Sequence, residues 1–599
     1  MMIDNKLFSL QGCRFIHPKM CVSLFLLSSV VLFTSFTPVH HSASSPLSVT
    51  PGAYAIDDAL IQARELRRLQ GATDVDIHLA AGTYRLYQSV RVRPEDNHTH
   101  FIADGDVTIS GGVKIEGWRR EGKCYVADVP DFTGCPLDFR QMWVNGKKAI
   151  RARDVEDFEK MNRIRSVDKK NEIIWVPAAA VDKIRGEHHA EMALHEMWCL
   201  SRLRISSISV SGDSAAVRFC QPESRIHFMR PWPSPVVDGK HNSPFFLTNA
   251  RQLMDSPGEW YLDSRESKVY YIPRDGENMQ TADVEVPAVE TLIQVEGTPD
   301  QSVHDVTFSG ITFSYSTWMR PSHEGHVPLQ AGMFMTEAYK LRPSIDRADD
   351  HKLDNQGWVG RPASAVSISC ADSVDFSRCT FEHLASTAVD YFEYVHGGAI
   401  DHCTFRDVGG SAILAGSFSP ESMEAHLPYR PSDDRIVCRG LRISDNIITD
   451  AANEDWGCLG IGAGYVSDID ICHNEISDVS YTGISLGWGW NRQPCAMSGN
   501  HVWRNLIYHY ARHLYDVAGI YTLGSQPGTV IEENTVRDIY HPSYVHDTEH
   551  WFYLYTDEGS SHITLRNNWT PTEKYLKNAN GPGNVWENNG MISPQPQNH

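Results

Sequence analysis

The stretch that decides the fold is Ile469-Asp-Ile-Cys-His-Asn474-Glu-Ile476-Ser-Asp478: an apolar strand, an Asn anchor, one residue, an apolar residue and an Asp. The same phrase precedes it as Val374-Asp-Phe-Ser-Arg-Cys379-Thr-Phe381, Ala399-Ile-Asp-His-Cys403-Thr-Phe405-Arg-Asp407 and Leu441-Arg-Ile-Ser-Asp-Asn446-Ile-Ile448-Thr-Asp450. It follows as Val530-Ile-Glu-Glu-Asn534-Thr-Val536-Arg-Asp538 and Ile563-Thr-Leu-Arg-Asn-Asn568-Trp569. Anchors step by 24 (379 to 403), 28 (446 to 474) and 60 (474 to 534), the last step holding two coils with Asn505-Leu-Ile507 between them. A repeat of roughly twenty to thirty residues, with β-branched runs and no helical periodicity, predicts stacked coils of a parallel β-solenoid. The expected fold is all-β, a right-handed parallel β-helix interrupted by an inserted antiparallel β-sandwich.

Outward from the repeat, the chain divides into four parts. Residues 1–45 read as a secretory signal and linker: Arg14 and Lys19, an apolar run from Met20 to Phe36, then Ser42-Ala43-Ser44-Ser45. The protein is therefore expected to be secreted or periplasmic. Residues 46–112 are expected to hold an amphipathic cap helix at Asp57–Gln70 and the first coils, because an open solenoid end needs a cover. Residues 113–290 break the pattern. Trp143-Val-Asn-Gly-Lys-Lys148 reads as a hairpin with an Asn-Gly turn, and Glu259–Asp263 with Lys268–Pro273 as a strand pair. Residues 291–599 are the main β-helix with its functional face; 317–364 and 417–435 are excursions from the coils, of the kind that build a binding face.

The full chain has 54 Lys and Arg against 75 Asp and Glu, a net charge of -21, and no basic block, which argues against nucleic acid as a partner. An oligosaccharide or polysaccharide is the expected partner, with no stable membrane insertion and a monomeric state. Thirteen cysteines leave eleven beyond the signal region, an odd count that gives no disulfide framework. Cys124–Cys135 is the one bridge considered. Cys379, Cys403 and Cys472 sit at or beside anchors and read as small inward hydrophobes. No metal-spaced Cys/His cluster appears, so neither metal nor cofactor is expected.

Acidic and aromatic residues concentrate in four related segments, Asn453–Gly464, Tyr481–Trp490, Tyr515–Gly524 and Trp551–Gly559. Coils stack about 4.8 Å apart, so such segments converge on one face. Hydrolysis of a glycosidic bond needs two carboxyls across it. Asp407, Asp450, Asp478 and Asp538 recur after the anchors and read as turn residues. Asp516 and Asp557 break that rule and are the catalytic candidates, with Asp455 and Glu558 as rivals or substrate ligands. Asp516 precedes its strand and Asp557 follows one, so bringing them within about 5–10 Å demands a bend. Trp488, Trp490, Tyr521 and Tyr555, with Trp456, are candidate stacking surfaces for sugar rings. Among the histidines, His513 is a candidate ligand, and His546 and His550 are further possibilities for hydroxyl binding or proton transfer. Gln526, in a Pro-Gly turn, is a weaker ligand candidate.

At Met142-Trp-Val-Asn-Gly-Lys-Lys-Ala-Ile-Arg-Ala-Arg153, Pro257-Gly-Glu-Trp-Tyr-Leu-Asp263 and Ala518-Gly-Ile-Tyr-Thr-Leu-Gly-Ser-Gln-Pro-Gly-Thr529, the chain resembles glycoside hydrolase family 141. The resemblance runs from about residue 55 to the end, and Leu554-Tyr-Thr-Asp-Glu558 narrows it. It implies a β-helix with a β-sandwich insertion, an activity on α-L-fucosides (2-O-methyl-fucose in the pectin rhamnogalacturonan II) or on xylan, and catalytic acids at Asp516 and Asp557. The competing expectations are a Ca²⁺-dependent pectate-type lyase, disfavoured by a catalytic belt without Lys, and a non-catalytic carbohydrate-binding β-helix.

Overall fold

The computed structural model describes residues 46–187, 189–230, 232–338, 358–419 and 423–591. The signal segment lies outside the described residues, as do 339–357 and 420–422 of the two excursions. Among the described residues no helix is long and apolar enough to cross a membrane.

The repeat winds as a parallel β-helix. One ladder of parallel strands begins at Leu47–Val49 and continues through Val75–Arg85, Thr99–Ser110 and Val303–Ser316. Later coils continue it to Val585–Glu587. A second parallel sheet stacks Val90–Val92, Ile293–Glu296, Ser364–Ser369, Thr387–Tyr391 and Ile413–Ala415, then Ile461–Ala463, Ile484–Leu486, Val517–Thr522, Trp551–Thr556 and Tyr575–Lys577. Inward positions stay in register from coil to coil, so like stacks on like. Phe101, Phe308 and Phe376 lie 4.8 and 5.0 Å apart, and Phe313, Phe381 and Phe405 lie 5.0 and 4.7 Å apart. These near-parallel ring columns are fully buried and combine area burial with stacking.

The anchors make the corner between successive strands. The residue before each anchor is left-handed: Arg378, His402, Asp445, His473, Arg504, Glu533 and Asn567 all have φ between 52° and 58°. Each buried Asn satisfies the corner of its neighbours. Asn505 Oδ1 accepts from the backbone N–H and the side-chain amide of Asn474, and Asn505 Nδ2 donates to Ile471 O and Asn534 Oδ1, all at 2.9–3.0 Å. The same pattern links Asn446, Asn474, Asn505, Asn534, Asn568 and Asn589. Cys403 begins the column, its N–H donating to Asn446 Oδ1 at 2.8 Å.

The helix Ala55–Gln70 covers the first coil with Ile56, Ala59, Leu60 and Ala63 buried. After Gly112 the chain leaves the solenoid for antiparallel sheets, and it re-enters at Ile293. Trp143–Val144 pairs with Lys147–Lys148 around Asn145 and Gly146, both at positive φ as the hairpin turn requires. Leu203–Val210 and Ala215–Phe219 belong to a seven-stranded antiparallel sheet. The inserted domain grips the helix at Asp407: Trp143 Nε1 donates to Oδ2 at 2.6 Å, His383 lies 2.8 Å from it, and Lys148 pairs with Oδ1 at 3.2 Å. Cys124 and Cys135 are free, as are the other nine described cysteines. Each of the two lies in its own short antiparallel pairing, Cys124 with Glu121 and Cys135 with Phe132, so the bridge weighed from sequence is not made.

Candidate active site

Asp516 and Asp557 come from adjacent strands of the second sheet. Val517–Thr522 and Trp551–Thr556 pair in parallel with Tyr521 opposite Tyr555. Asp516 stands just before the first strand and Asp557 just after the second. The ladder passes through Gly519, where a Cβ would lie 2.2 Å from Val536 Cγ1; only glycine fits as the strand crosses the core. The two carboxyls are within electrostatic reach, since the charge on Asp516 acts on Asp557, and both act on Tyr481, Tyr555 and His550.

Asp516 has φ 58°, left-handed for a non-glycine residue, a conformation that costs on the order of 1 kcal/mol or more and is kept where surroundings enforce it. Here its N–H donates to His550 O at 2.7 Å, and Tyr481 donates to its carbonyl at 3.0 Å. Its carboxylate meets His550 Nε2 at 3.0 Å. That hydrogen bond is the main reason the imidazole is held above its ordinary value, the charges of Asp516, Asp547 and Asp557 adding to it against burial.

Asp557 sits in a different environment. Tyr521 donates to Oδ2 at 2.6 Å and Asn578 Nδ2 to Oδ1 at 2.6 Å. Burial nonetheless pushes its carboxyl above the ordinary carboxylate range, with the Asp516 charge adding to the effect and the bonds from Tyr521, Asn578 and the Glu558 N–H opposing it. Tyr521 and Asn578 take different oxygens of the carboxyl, and the Tyr555 hydroxyl and the Glu558 N–H also bond it. Tyr521 is itself held by Gln330, whose Nε2 reaches its hydroxyl at 3.1 Å. The aromatic lining continues from Tyr521 to Tyr555 at 4.9 Å, Phe552 at 5.4 Å and His550 at 5.1 Å.

The remaining sequence candidates divide. Tyr521 and Tyr555 are only 3% and 4% exposed, so they set the environment of Asp557 rather than offering open stacking faces. Trp488 is 1% exposed, packs on Phe418 and donates to Ser419 Oγ at 2.7 Å; it is core, because its position in the coil points inward. Trp490, two residues on, is partly buried in an aromatic cluster with Trp232 and His426. Asp455 is buried and its Oδ2 is taken by His326 Nε2 at 2.9 Å. Glu558 is exposed, beside the site and turned to solvent. His513 stacks on Trp456 at 4.0 Å and meets Tyr544 at 2.7 Å, and burial holds its imidazole well below the ordinary value. It packs where Phe158 of the inserted domain meets the helix, so it is an interface residue and not a ligand beside the acids. His546 lies against His241 and Asp238 of the inserted domain. Gln526 is buried and donates to Leu486 O and Leu523 O, a structural role. Sequence reasoning did not single out Asn578, Gln330, Tyr481 or Phe552, and assigned His550 only as one of three histidines. Asn578 directly follows the strand Tyr575–Lys577, whose Lys577 pairs with Thr556, so it stands beside Asp557 at a place that the coil register could have indicated. A cavity of about 620 Å³ under the cap helix, lined by Asp57, Arg64, Tyr87 and Glu290 among others, contains none of these residues.

A solved structure described as a glycoside hydrolase is similar to this chain at 54% identity, over 92% of this chain and 97% of that one, with a TM-score of 0.89. The complex of XylC with xylose is similar at 14% identity, over 84% and 64%, with a TM-score of 0.45, and the Streptococcus pneumoniae surface protein and adhesin PfbA at 12%, over 91% and 97%, with a TM-score of 0.37. No curated protein matches. Near-complete coverage at that first identity makes this parallel β-helix protein a glycoside hydrolase. Residues 122–274 match the GH141 insertion domain, and the chain belongs to glycoside hydrolase family 141.

Proposed function

We propose that the enzyme is an exported α-L-fucosidase that removes terminal fucose or 2-O-methyl-fucose from the plant pectin rhamnogalacturonan II, with Asp557 as general acid and Asp516 as general base or nucleophile. The observation that carries the mechanism is the contrast between two neighbouring, half-buried carboxyls: desolvation holds Asp557 above the ordinary carboxylate range, whereas Asp516 is paired with His550. A carboxyl raised toward proton retention beside one that faces a histidine divides acid from base. Asp557 would protonate the departing oxygen as the glycosidic bond lengthens. Asp516 would attack the anomeric carbon or deprotonate the attacking water, and His550 would fix its orientation.

The choice of fucose rests on the resemblance of Ala518–Thr529 and Leu554–Glu558 to the family; a xylan substrate is the second reading from the same source. Wild type, Asp516→Asn and Asp557→Asn should be compared on rhamnogalacturonan II oligosaccharides and on xylan. Release of fucose or methyl-fucose by wild type, lost in both variants, is the expected result. Xylose or xylo-oligosaccharide release instead would replace the substrate while keeping the mechanism. Unsaturated, EDTA-sensitive products would make it a lyase and overturn both.

A further inference from the structure

We infer that the inserted domain forms part of the sugar-binding cleft, its Trp198 and Trp232 joining Trp490 of the β-helix in an aromatic wall that holds the sugar on the leaving-group side of the cleaved bond. The inference rests on the roles proposed above for Asp557 and Asp516.

The wall joins the two parts of the molecule. Trp232 meets Trp198 at 6.1 Å and Trp490 at 5.4 Å, both edge-to-face. His426, from the 417–435 excursion, lies 5.9 Å from Trp232 and 5.8 Å from Trp490. It is oriented by buried Glu424, whose carboxylate meets its Nδ1 at 2.8 Å and its backbone N–H at 2.9 Å. Trp198, Trp232 and Trp490 are all partly buried residues at the edge of the core. A hydrophobic core would close such rings completely, as it does at Trp488. Partly exposed tryptophans beside a histidine suit a pyranose, whose apolar face stacks on a ring while its hydroxyls reach polar neighbours.

Two separate chains of contact tie the wall to Asp557. Trp198 Nε1 donates to Leu329 O at 2.7 Å; the next residue, Gln330, bonds the Tyr521 hydroxyl that donates to Asp557. On the other side Trp490 precedes Asn491, and Asn491 packs on Gly559, two residues past Asp557. A Cβ at Gly559 would lie 2.7 Å from Asn491 N, and its φ of 80° also favours glycine. A general acid stands beside the oxygen that leaves. A wall joined to the acid by two routes therefore borders the departing sugar.

The test compares Trp232→Ala and Trp490→Ala with wild type on an oligosaccharide substrate and on an aryl glycoside of the same terminal sugar, which lacks a sugar leaving group. The expected result is a KM about tenfold higher on the oligosaccharide, equivalent to about 1.4 kcal/mol, with kcat changed much less. On the aryl glycoside the rise should be at least threefold smaller. Equal losses on both substrates, or none on either, would overturn the inference. Trp232→Phe, which keeps a ring, should recover most of the lost affinity if the fold is intact. If wild type acts on xylan and not on fucosides, the same comparison is made with xylo-oligosaccharides and an aryl xyloside, so the substrate reading fails separately from the wall. Binding of the oligosaccharide to Asp557→Asn, measured calorimetrically with and without Trp232→Ala, decides the matter without turnover: unchanged affinity would overturn it.

Discussion

The Tyr521 hydroxyl lies 2.6 Å from Asp557 Oδ2 and joins an aromatic on one coil to a carboxyl on the next. Because Tyr521 is buried and held by Gln330, it acts on the proton affinity of Asp557 more than on its position. The bond favours the ionised carboxylate. Removing it therefore raises the affinity of Asp557 for its proton further. With Asp557 as general acid, Tyr521→Phe should move the alkaline limb of the kcat/KM profile to higher pH, and Asn578→Ala should move it in the same direction. A shift downward, or a limb that stays in place in both variants, would mean that another group sets it.

The two acids should separate by leaving group. Asp557→Asn should lose about 100- to 10,000-fold on an oligosaccharide, and far less on an aryl glycoside whose phenolate leaves unprotonated. Asp516→Asn should lose about 10,000-fold on both. Steady-state kinetics on the two substrates reads this directly, and a reversed pattern would exchange the roles.

His550 gives a stability prediction with a definite sign. Its folded value lies above the ordinary 6.5 through its bond with Asp516. The stabilisation from the pair is then fully present below about pH 6.5 and fades as pH rises through the folded value. The pair is partly exposed, so the effect is modest. The melting-temperature difference between wild type and His550→Gln should be largest near pH 5.5 and shrink toward pH 9. A gap that widens with pH would contradict the charged pair.

The asparagine column should be costly to interrupt. Asn505→Ala leaves the Asn474 N–H without its acceptor and takes one partner each from the Asn474 side-chain amide, Ile471 O and Asn534 Oδ1 in a dry corner. At about 1–3 kcal/mol for a buried group left unpaired, with partial relaxation, the loss should be about 3–5 kcal/mol. The neighbouring exposed Arg504→Ala should change the denaturation midpoint little.

Much of the fold was legible because the solenoid repeats its own evidence. Each coil restates the anchor, the inward apolar residue and the left-handed corner, so errors at one coil are corrected by the next. The Asn145-Gly146 hairpin was legible for a local reason, the turn's positive φ at both residues. The site was legible only in part. Asp516 and Asp557 stood out by breaking the periodic position, yet their contrasting environments depend on His550, Asn578 and Gln330, brought in from other coils or an excursion. Trp488 and Trp490 show the limit: Gly489 lies between them at φ 84°, and one tryptophan is fully buried while the other is partly exposed at the edge of the core. Nothing in the two letters predicts which.

The asparagine column also has a polarity. Every amide from Asn446 to Asn568 gives its N–H to the following coil's oxygen, and each of those oxygens also receives a backbone N–H. Turning one amide over would set two donors face to face on one side and two acceptors on the other. Turning all of them together fails as well, because each main-chain N–H would then face an amide NH2, which cannot accept. The side-chain dipoles are thus aligned head to tail by the winding of the backbone. A loss or gain of one whole coil rejoins identical ends and preserves that alignment, whereas a fraction of a coil leaves a mismatched joint. Changes in the length of such a chain are confined to whole turns of the helix or to excursions outside it.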